Sequence, residues 1–160
     1  MTDSITLKKL KERFTNSVLE THSFRGDDTA VVKRVDVLEI CRFLKEDTEL
    51  SYNFLMDLTA ADYLGKEPRF EVVYHLYSLK HNMRVRIKVP LSESDPTIDS
   101  VSSLWASANW AERECWDLFG IRFNEHPDLR RILLYEQFQG HPLRKDYPVD
   151  KRQPLIGPKN

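Results

Sequence analysis

The sequence predicts an α+β fold: a two-layer sandwich of order α-β-β-α-β-β-β on a mixed or mainly antiparallel sheet, followed by a helical junction and an extended C-terminal tail. Three observations carry this. Strand-like stretches come in pairs joined by turn residues, as hairpins do. Two stretches with apolar residues three and four apart alternate with those pairs, which lays helices on a sheet. The last part of the chain loses any 3.6 or 2.0 period yet keeps its aromatic and branched residues. Residues 1–120 are therefore read as a body with its junction helix, and residues 121–160 as an extended partner-binding tail.

Ser4 is placed to cap a first helix, whose Leu7, Leu10 and Phe14 share a face. Val18 to Phe24 reads as a strand, Arg25-Gly26-Asp27-Asp28 as a turn and Thr29 to Arg34 as a second strand. The letters Arg-Gly-Asp are turn composition here, not an adhesion signal, because Gly and Asp suit tight turns. Asp36, with Glu39 three residues on, has the form of a capping box. It precedes the buried stripe Val37, Ile40, Cys41 and Leu44 of a second helix. Phe54 to Ala60 is apolar and reads as a central strand. Gly65 and Pro68 mark the turn before a long strand, Arg69 to Leu79, rich in Val, Tyr and Leu. Lys80-His81-Asn82 turns the chain into Met83 to Val89. There Met83, Val85, Ile87 and Val89 face one way and Arg84, Arg86 and Lys88 the other. The basic face suits phosphate or an acidic partner, but a solvated sheet face is the simpler reading.

Composition excludes several functions. A net charge of −1 supplies no basic field for nucleic acid. No run of about 18 apolar residues exists, so no transmembrane helix is expected. The opening MTDSITLKKLKERF lacks the apolar core of a secretory signal, and its acidic residues argue against a transit peptide. Cys41 and Cys115 are expected as reduced, buried thiols, and no Cys/His spacing suits a metal. With 5 Gly residues the chain has neither the dinucleotide fingerprint nor the phosphate-loop spacing.

The chemistry-bearing residues concentrate after Thr97. A helical stretch starting at Thr97 or Ser100 places Val101, Leu104, Trp105, Ala108, Ala111, Cys115 and Leu118 in one stripe. Glu112 falls near its middle, where a carboxylate is costly unless paired. Glu112 or Glu114 is therefore expected against a basic group. Arg113 and Asp117, four apart, are placed to pair on the other face beside Trp110. Two readings fit this cluster: a solvated face with a local salt bridge, or a partner-facing ion network with Trp110 at its centre. Paired carboxylates also permit acid–base chemistry, but the neighbouring sequence supplies no nucleophile or metal ligands. His126 and His141 each stand beside Pro and are read as structural hydrogen-bonding residues.

Beyond Gly120 the chain passes through Arg130–Arg131 and Arg144–Lys145, punctuated by Pro127, Pro142 and Pro148. It also holds Ile132, Leu133, Leu134, Tyr135, Phe138, Leu143 and Tyr147. Irregular chain of this length is unusual without a function, and a disordered tail would be poorer in such residues. The expectation is few contacts with the body and many with a partner. Arg130, Arg131, Arg144 and Lys145 would meet acidic or carbonyl groups there, and truncation after Gly120 would leave the body folded.

The pattern Glu112-Arg113-Glu114, Asp117-Leu118-Phe119, His126, Arg130, Ile132-Leu133 resembles the signature of the 30 kDa (C) subunit family of respiratory NADH:quinone oxidoreductase, complex I. Gly140-His141-Pro142-Leu143-Arg144-Lys145-Asp146-Tyr147-Pro148 resembles the family's second motif. Leu55-Met56-Asp57-Leu58-Thr59-Ala60-Ala61-Asp62-Tyr63 resembles its strand motif. The resemblance covers most of the chain from Leu50 onward; Tyr135 to Gln139 fits less well. It implies a structural and assembly subunit of the peripheral arm, with no catalytic, metal-binding or cofactor-binding residues of its own. FMN and iron–sulfur clusters would lie in companion subunits. The chain would pack on the hydrogenase-large-subunit-like subunit that forms the quinone site, at the cytoplasmic face of the inner membrane. It would meet NADH, quinone and membrane only through the complex. The partner interface would comprise Trp110, Glu112, Arg113, Glu114, Asp117, His126, Arg130, Arg131, His141, Leu143, Arg144, Lys145, Asp146 and Tyr147. The alternative is the equivalent subunit of a related membrane-bound hydrogenase or ferredoxin-dependent complex.

Overall fold

The computed structural model describes residues 4–154 and 156. The end of the predicted tail, residues 155 and 157–160, therefore lies outside the described residues. The elements are α1 (Ile5–Arg13), β1 (Val18–Phe24), β2 (Asp27–Val32), a 3-10 turn (Arg34–Asp36) and α2 (Val37–Glu46). They continue as β3 (Phe54–Asp62), β4 (Phe70–Ser78), β5 (Met83–Leu91), β6 (Thr97–Asp99), α3 (Ala108–Phe119) and β7 (Arg122–Asn124). This is the predicted α+β order with two short strands added after β5.

Local chemistry accounts for most element ends. The Ser4 hydroxyl accepts from the Leu7 N–H at 3.2 Å and opens α1, which buries Leu7 and Leu10. β1 and β2 turn at Arg25 and Gly26, whose φ angles are +53° and +89°. A two-residue turn with both φ positive matches the twist of the strands it joins. The capping box at Asp36 does not form, since its side chain makes no capping bond and Glu39 pairs with Arg42. Asp36 already closes a 3-10 turn, at φ −109° and ψ 2°, so it lacks the extended backbone a capping side chain needs. α2 buries the predicted Val37, Ile40, Cys41 and Leu44.

The sheet order is β1-β2-β5-β4-β3, mixed because β2 and β5 run parallel. β4 and β5 are its centre, and β3, expected there, is an edge. Its apolar run is explained by one covered face: α3 lies against it and Leu55 and Leu58 are buried, while Phe54 and Met56 stay about half exposed. β5 alternates as predicted, with Val85, Ile87 and Val89 buried. On its polar face Lys88 pairs with Glu71 at 2.8 Å and Arg86 bonds the Thr29 hydroxyl at 3.3 Å.

Two departures follow β5. Residues 97–99 form a strand, not a helix start, and pair in parallel with β7. α3 begins only at Ala108, and Ser100 and the Val101 N–H are bonded instead to the Glu112 carboxyl in the middle of that helix. Val101 and Trp105 still reach the core, from irregular chain. The second departure is at Gly120, which ends α3 with φ +80°. Ile121 and Phe123 immediately after it are core residues at 0% and 3% exposure. The body therefore continues past Gly120, and truncation there would strip two core side chains and the strand that pairs with β6. Three residues alternating in, out, in are too few to register as a strand period.

Candidate functional site

Glu112 lies on the inner side of α3, fully buried. One of its oxygens accepts from the Val101 N–H at 2.7 Å and the other bonds the Ser100 hydroxyl at 2.6 Å. The expected basic partner is not there. His126 Nε2 is 3.8 Å away, but it faces the Asn109 carbonyl at 3.1 Å while Nδ1 accepts from the Asp128 N–H at 3.0 Å. A ring that accepts at one nitrogen and donates at the other is neutral. Burial pushes the Glu112 carboxyl up to about 7, against the opposing bonds from Ser100 and Val101. Glu114 is exposed. Cys41 and Cys115 are free buried thiols. Burial pushes both up, Cys41 to about 12.

The predicted Arg113–Asp117 pair does not form, because both side chains reach beyond α3 to the loop at 130–134. Arg113 donates to the carbonyls of Arg130 and Arg131 at 3.0 and 2.8 Å and lies 5.4 Å from the Trp110 ring centre. Asp117, fully buried, takes Arg131 at 2.6 Å. Its other oxygen accepts the consecutive N–H groups of Ile132, Leu133 and Leu134 at 3.1, 2.9 and 2.9 Å. Such a nest of backbone donors is a strong anion site, filled here by the chain's own carboxylate. Burial pushes Asp117 upward, but those N–H groups and Arg131 outweigh it and hold the carboxyl below its ordinary range. Arg131 also donates to the carbonyls of Phe138 and Gly140, and His141 Nδ1 bonds the Asp117 carbonyl at 2.9 Å.

A second cluster fastens the Gly140–Pro148 motif. Arg69, 1% exposed, binds both oxygens of Asp62 at 2.8 Å. It also pairs with Glu93 and Asp146. Arg144 pairs with Asp146 at 2.9 Å and lies over the Phe70 ring. The Lys145 N–H donates to Asp62 at 2.7 Å, and the Leu143 N–H to the Leu118 carbonyl at 3.0 Å. Arg144 and then Arg69 hold Asp146 well below the usual carboxylate range; Asp62 is lowered chiefly by Arg69. Tyr147 stacks on Phe138 and its hydroxyl accepts from Gln153 at 2.8 Å.

The expectation of a tail with few contacts to the body is thus overturned. Apolar periodicity is not needed where buried carboxylates bind backbone N–H groups directly. Of the residues assigned to a partner interface, Glu112, Asp117 and Arg131 face the body itself, as do Arg144 and Asp146 in part. Arg113, His126, His141 and Tyr147 also bond within the chain. Of the assigned residues Trp110 and Leu143 remain outward, at 59% and 49% exposure, and Glu114, Arg130 and Lys145 are exposed; Leu133, not assigned to the interface, is 61% exposed as well. Sequence reasoning missed Ser100, Asp62, Arg69 and Glu93. Asp62 gave one signal, an acid at the end of a largely apolar strand; Arg69 is seven residues on, across the turn into β4, but Lys145 is 83 residues away and no local pattern encodes it. Among the described residues no group of three His, Cys, Asp or Glu side chains is placed to hold a metal ion.

Comparison with known proteins shows the family and the fold. The family described as the 30 kDa subunit of respiratory-chain NADH dehydrogenase matches residues 30–153. The C subunit of NADH-quinone oxidoreductase from Geobacter sulfurreducens is 55% identical over 152 residues, 93% of each chain. The corresponding protein of Geotalea uraniireducens is 53% identical over 151 residues, 93% of this chain and 91% of that one. Among solved structures, the trypsin-resistant fragment 1–134 of Nqo5 matches with TM-score 0.67 and 34% identity, over 78% of this chain and all of the fragment. A chain of the archaeal membrane-bound sulfane sulfur reductase shares the fold, with TM-score 0.75 and 22% identity over 89% of this chain and 84% of that one.

Proposed function

The chain belongs to the family of the 30 kDa subunit of respiratory-chain NADH dehydrogenase, and from that premise we propose that it is a non-catalytic structural subunit in the peripheral arm of a proton-pumping NADH:quinone oxidoreductase. It supports the hydrogenase-large-subunit-like subunit that forms the quinone site. FMN and iron–sulfur clusters belong to companion subunits. The chain acts at the cytoplasmic face of the inner membrane and touches the membrane through the complex; no described helix is long and apolar enough to cross one. The names of relatives above half identity favour this complex over a membrane-bound hydrogenase or ferredoxin-dependent one.

One observation supports the docking role most directly. The segment from 125 to 154 is fastened to the body from beneath, and its fastening leaves Trp110, Leu133 and Leu143 uncovered on the outside. A segment already ordered loses less conformational entropy on binding than a free tail would, so more of the contact energy appears as affinity. Exposed Trp beside Arg113 has the character of an interface hot spot. The test is affinity capture of the tagged chain from mild-detergent membranes, comparing wild type with a Trp110→Ala/Leu133→Ala pair. Wild type should bring down companion subunits and stoichiometric flavin, and the pair should bring down much less. Capture of the wild-type chain alone would overturn the proposal.

A further inference from the structure

Among the described residues the buried carboxyl of Glu112 has hydrogen-bond partners but no balancing charge. Its oxygen at 2.6 Å from Ser100 Oγ continues into a hydroxyl chain, with Ser100 Oγ 2.7 Å from Ser102 Oγ. Ser102 is partly exposed, so the chain ends at solvent. The other carboxyl oxygen accepts from the Val101 N–H at 2.7 Å. The hydroxyl chain serves both states: Ser100 donates to the carboxylate, or a protonated Glu112 donates to Ser100 and Ser100 to Ser102, while the Val101 N–H donates to the other oxygen in either case. Among the described residues no positive charge balances an ionised Glu112. From β4 the group feels Tyr74, from α2 Cys41 and from its own helix Cys115, all uncharged. His126 is neutral by its own bonds. Lys45 of α2 donates to the Leu104 carbonyl, and Asp99 of β6 accepts from Asn124. An unpaired carboxylate at 0% exposure is strongly disfavoured.

We propose that Glu112 is a proton-binding clasp: buried with no balancing charge among the described residues, it ties α3 to the loop at 100–102 at least cost as the neutral acid, and keeping it in place costs more once the proton leaves and a bare charge is buried. Its upward displacement by burial is in keeping with this. The direction in pH follows. A carboxyl raised above its unfolded value contributes stability that is complete below the unfolded value and is lost as pH rises through the folded one. This is opposite to the usual carboxylate. The inference concerns the body alone and does not depend on the proposed place in a complex.

The test compares thermal midpoints of the full-length chain and Glu112→Gln between about pH 4 and pH 8.5, a window set by the ordinary and raised values of the group. The amide imitates the neutral acid, donating to Ser100 and accepting from Val101. The two midpoints should differ least at the acid end, and wild type should fall progressively behind as pH rises through about 7. A gap that stays constant, or wild type gaining on the variant with rising pH, would overturn the proposal. Carbon-13 NMR of the Glu112 carboxyl in wild type decides the matter if the variant does not fold. It should titrate near neutrality, apart from the exposed glutamates; titration together with them would likewise overturn the clasp.

Discussion

The five-stranded sheet and the segment from 125 to 154 belong to one protein but are held by different forces. In the sheet, β5 buries Val85, Ile87 and Val89 on one face against the helices. Each such side chain contributes about 1.5–3 kcal/mol when fully withdrawn from water. In the segment no residue is buried as a whole. It is held by Asp117 accepting three backbone N–H groups and Arg131, and by Arg69 gathering Asp62, Glu93 and Asp146. The sheet spreads its stability over many interchangeable contacts; the segment concentrates it on three buried charges, Asp117, Arg69 and Asp62. Losing one contact should therefore be graded in the first region and severe in the second.

Asp117→Ala tests that contrast most harshly. It leaves Arg131 without its carboxylate and three N–H groups without an acceptor. Breaking a buried pair from one side costs on the order of 3–5 kcal/mol. Ile87→Val in the sheet should cost about 0.5–1.5 kcal/mol. Urea unfolding of both variants gives the comparison, and hydrogen exchange at 132–134 shows where the loss falls. Equal losses would mean that the two regions are held alike.

Acid should separate the regions next. Asp117 and Asp62 are both held below their ordinary range. Their contribution is complete above the unfolded value of about 3.9 and is lost as pH falls through the lower folded values. The apolar contacts of the sheet have no comparable dependence, and Glu112 acts in the opposite sense. As pH falls below about 4 the segment should lose its hydrogen-exchange protection before the sheet does. Simultaneous loss would mean that the two regions unfold as one.

The same contrast explains what can be read in the sequence. The strands, α2 and the alternation of β5 repeat a physical requirement every two or three to four residues, so the pattern announces itself. Glu112 is legible as buried because it interrupts such a stripe. Its partners are not, because a serine hydroxyl and a backbone N–H leave no trace in composition. Arg113 and Asp117 look like a pair by spacing, yet each has a better partner in the loop at 130–134. Arg69 meets Asp146 across 77 positions, a separation no local pattern encodes. The tail does lack a period, but the inference that a partner must order it omits the body's own buried charges.

Gly120 ends α3 against the His141 ring of the segment and gives a smaller effect. Its φ of +80° is unfavourable for a residue with a side chain, and an added Cβ would lie 2.8 Å from the His141 ring. Gly120→Ala should cost about 1–2 kcal/mol from the left-handed backbone alone. More is expected if the ring cannot move, because His141 is fixed by the Asp117 carbonyl. A thermal midpoint unchanged from wild type would show that α3 can end another way.

Trp110→Ala should have the smallest effect on the isolated chain and therefore sharpens the comparison most. The ring is 59% exposed, and its main neighbour in the chain is the Arg113 guanidinium. Arg113 keeps its two bonds to the carbonyls of Arg130 and Arg131 when the ring is gone. Stability in urea should shift by no more than about 0.5 kcal/mol, as for surface positions generally. Capture of companion subunits should nevertheless fall at least tenfold, which corresponds to about 1.4 kcal/mol or more of binding energy. That combination separates a docking side chain from a structural one. A large stability loss with normal capture would assign Trp110 to the fold and move the docking surface elsewhere.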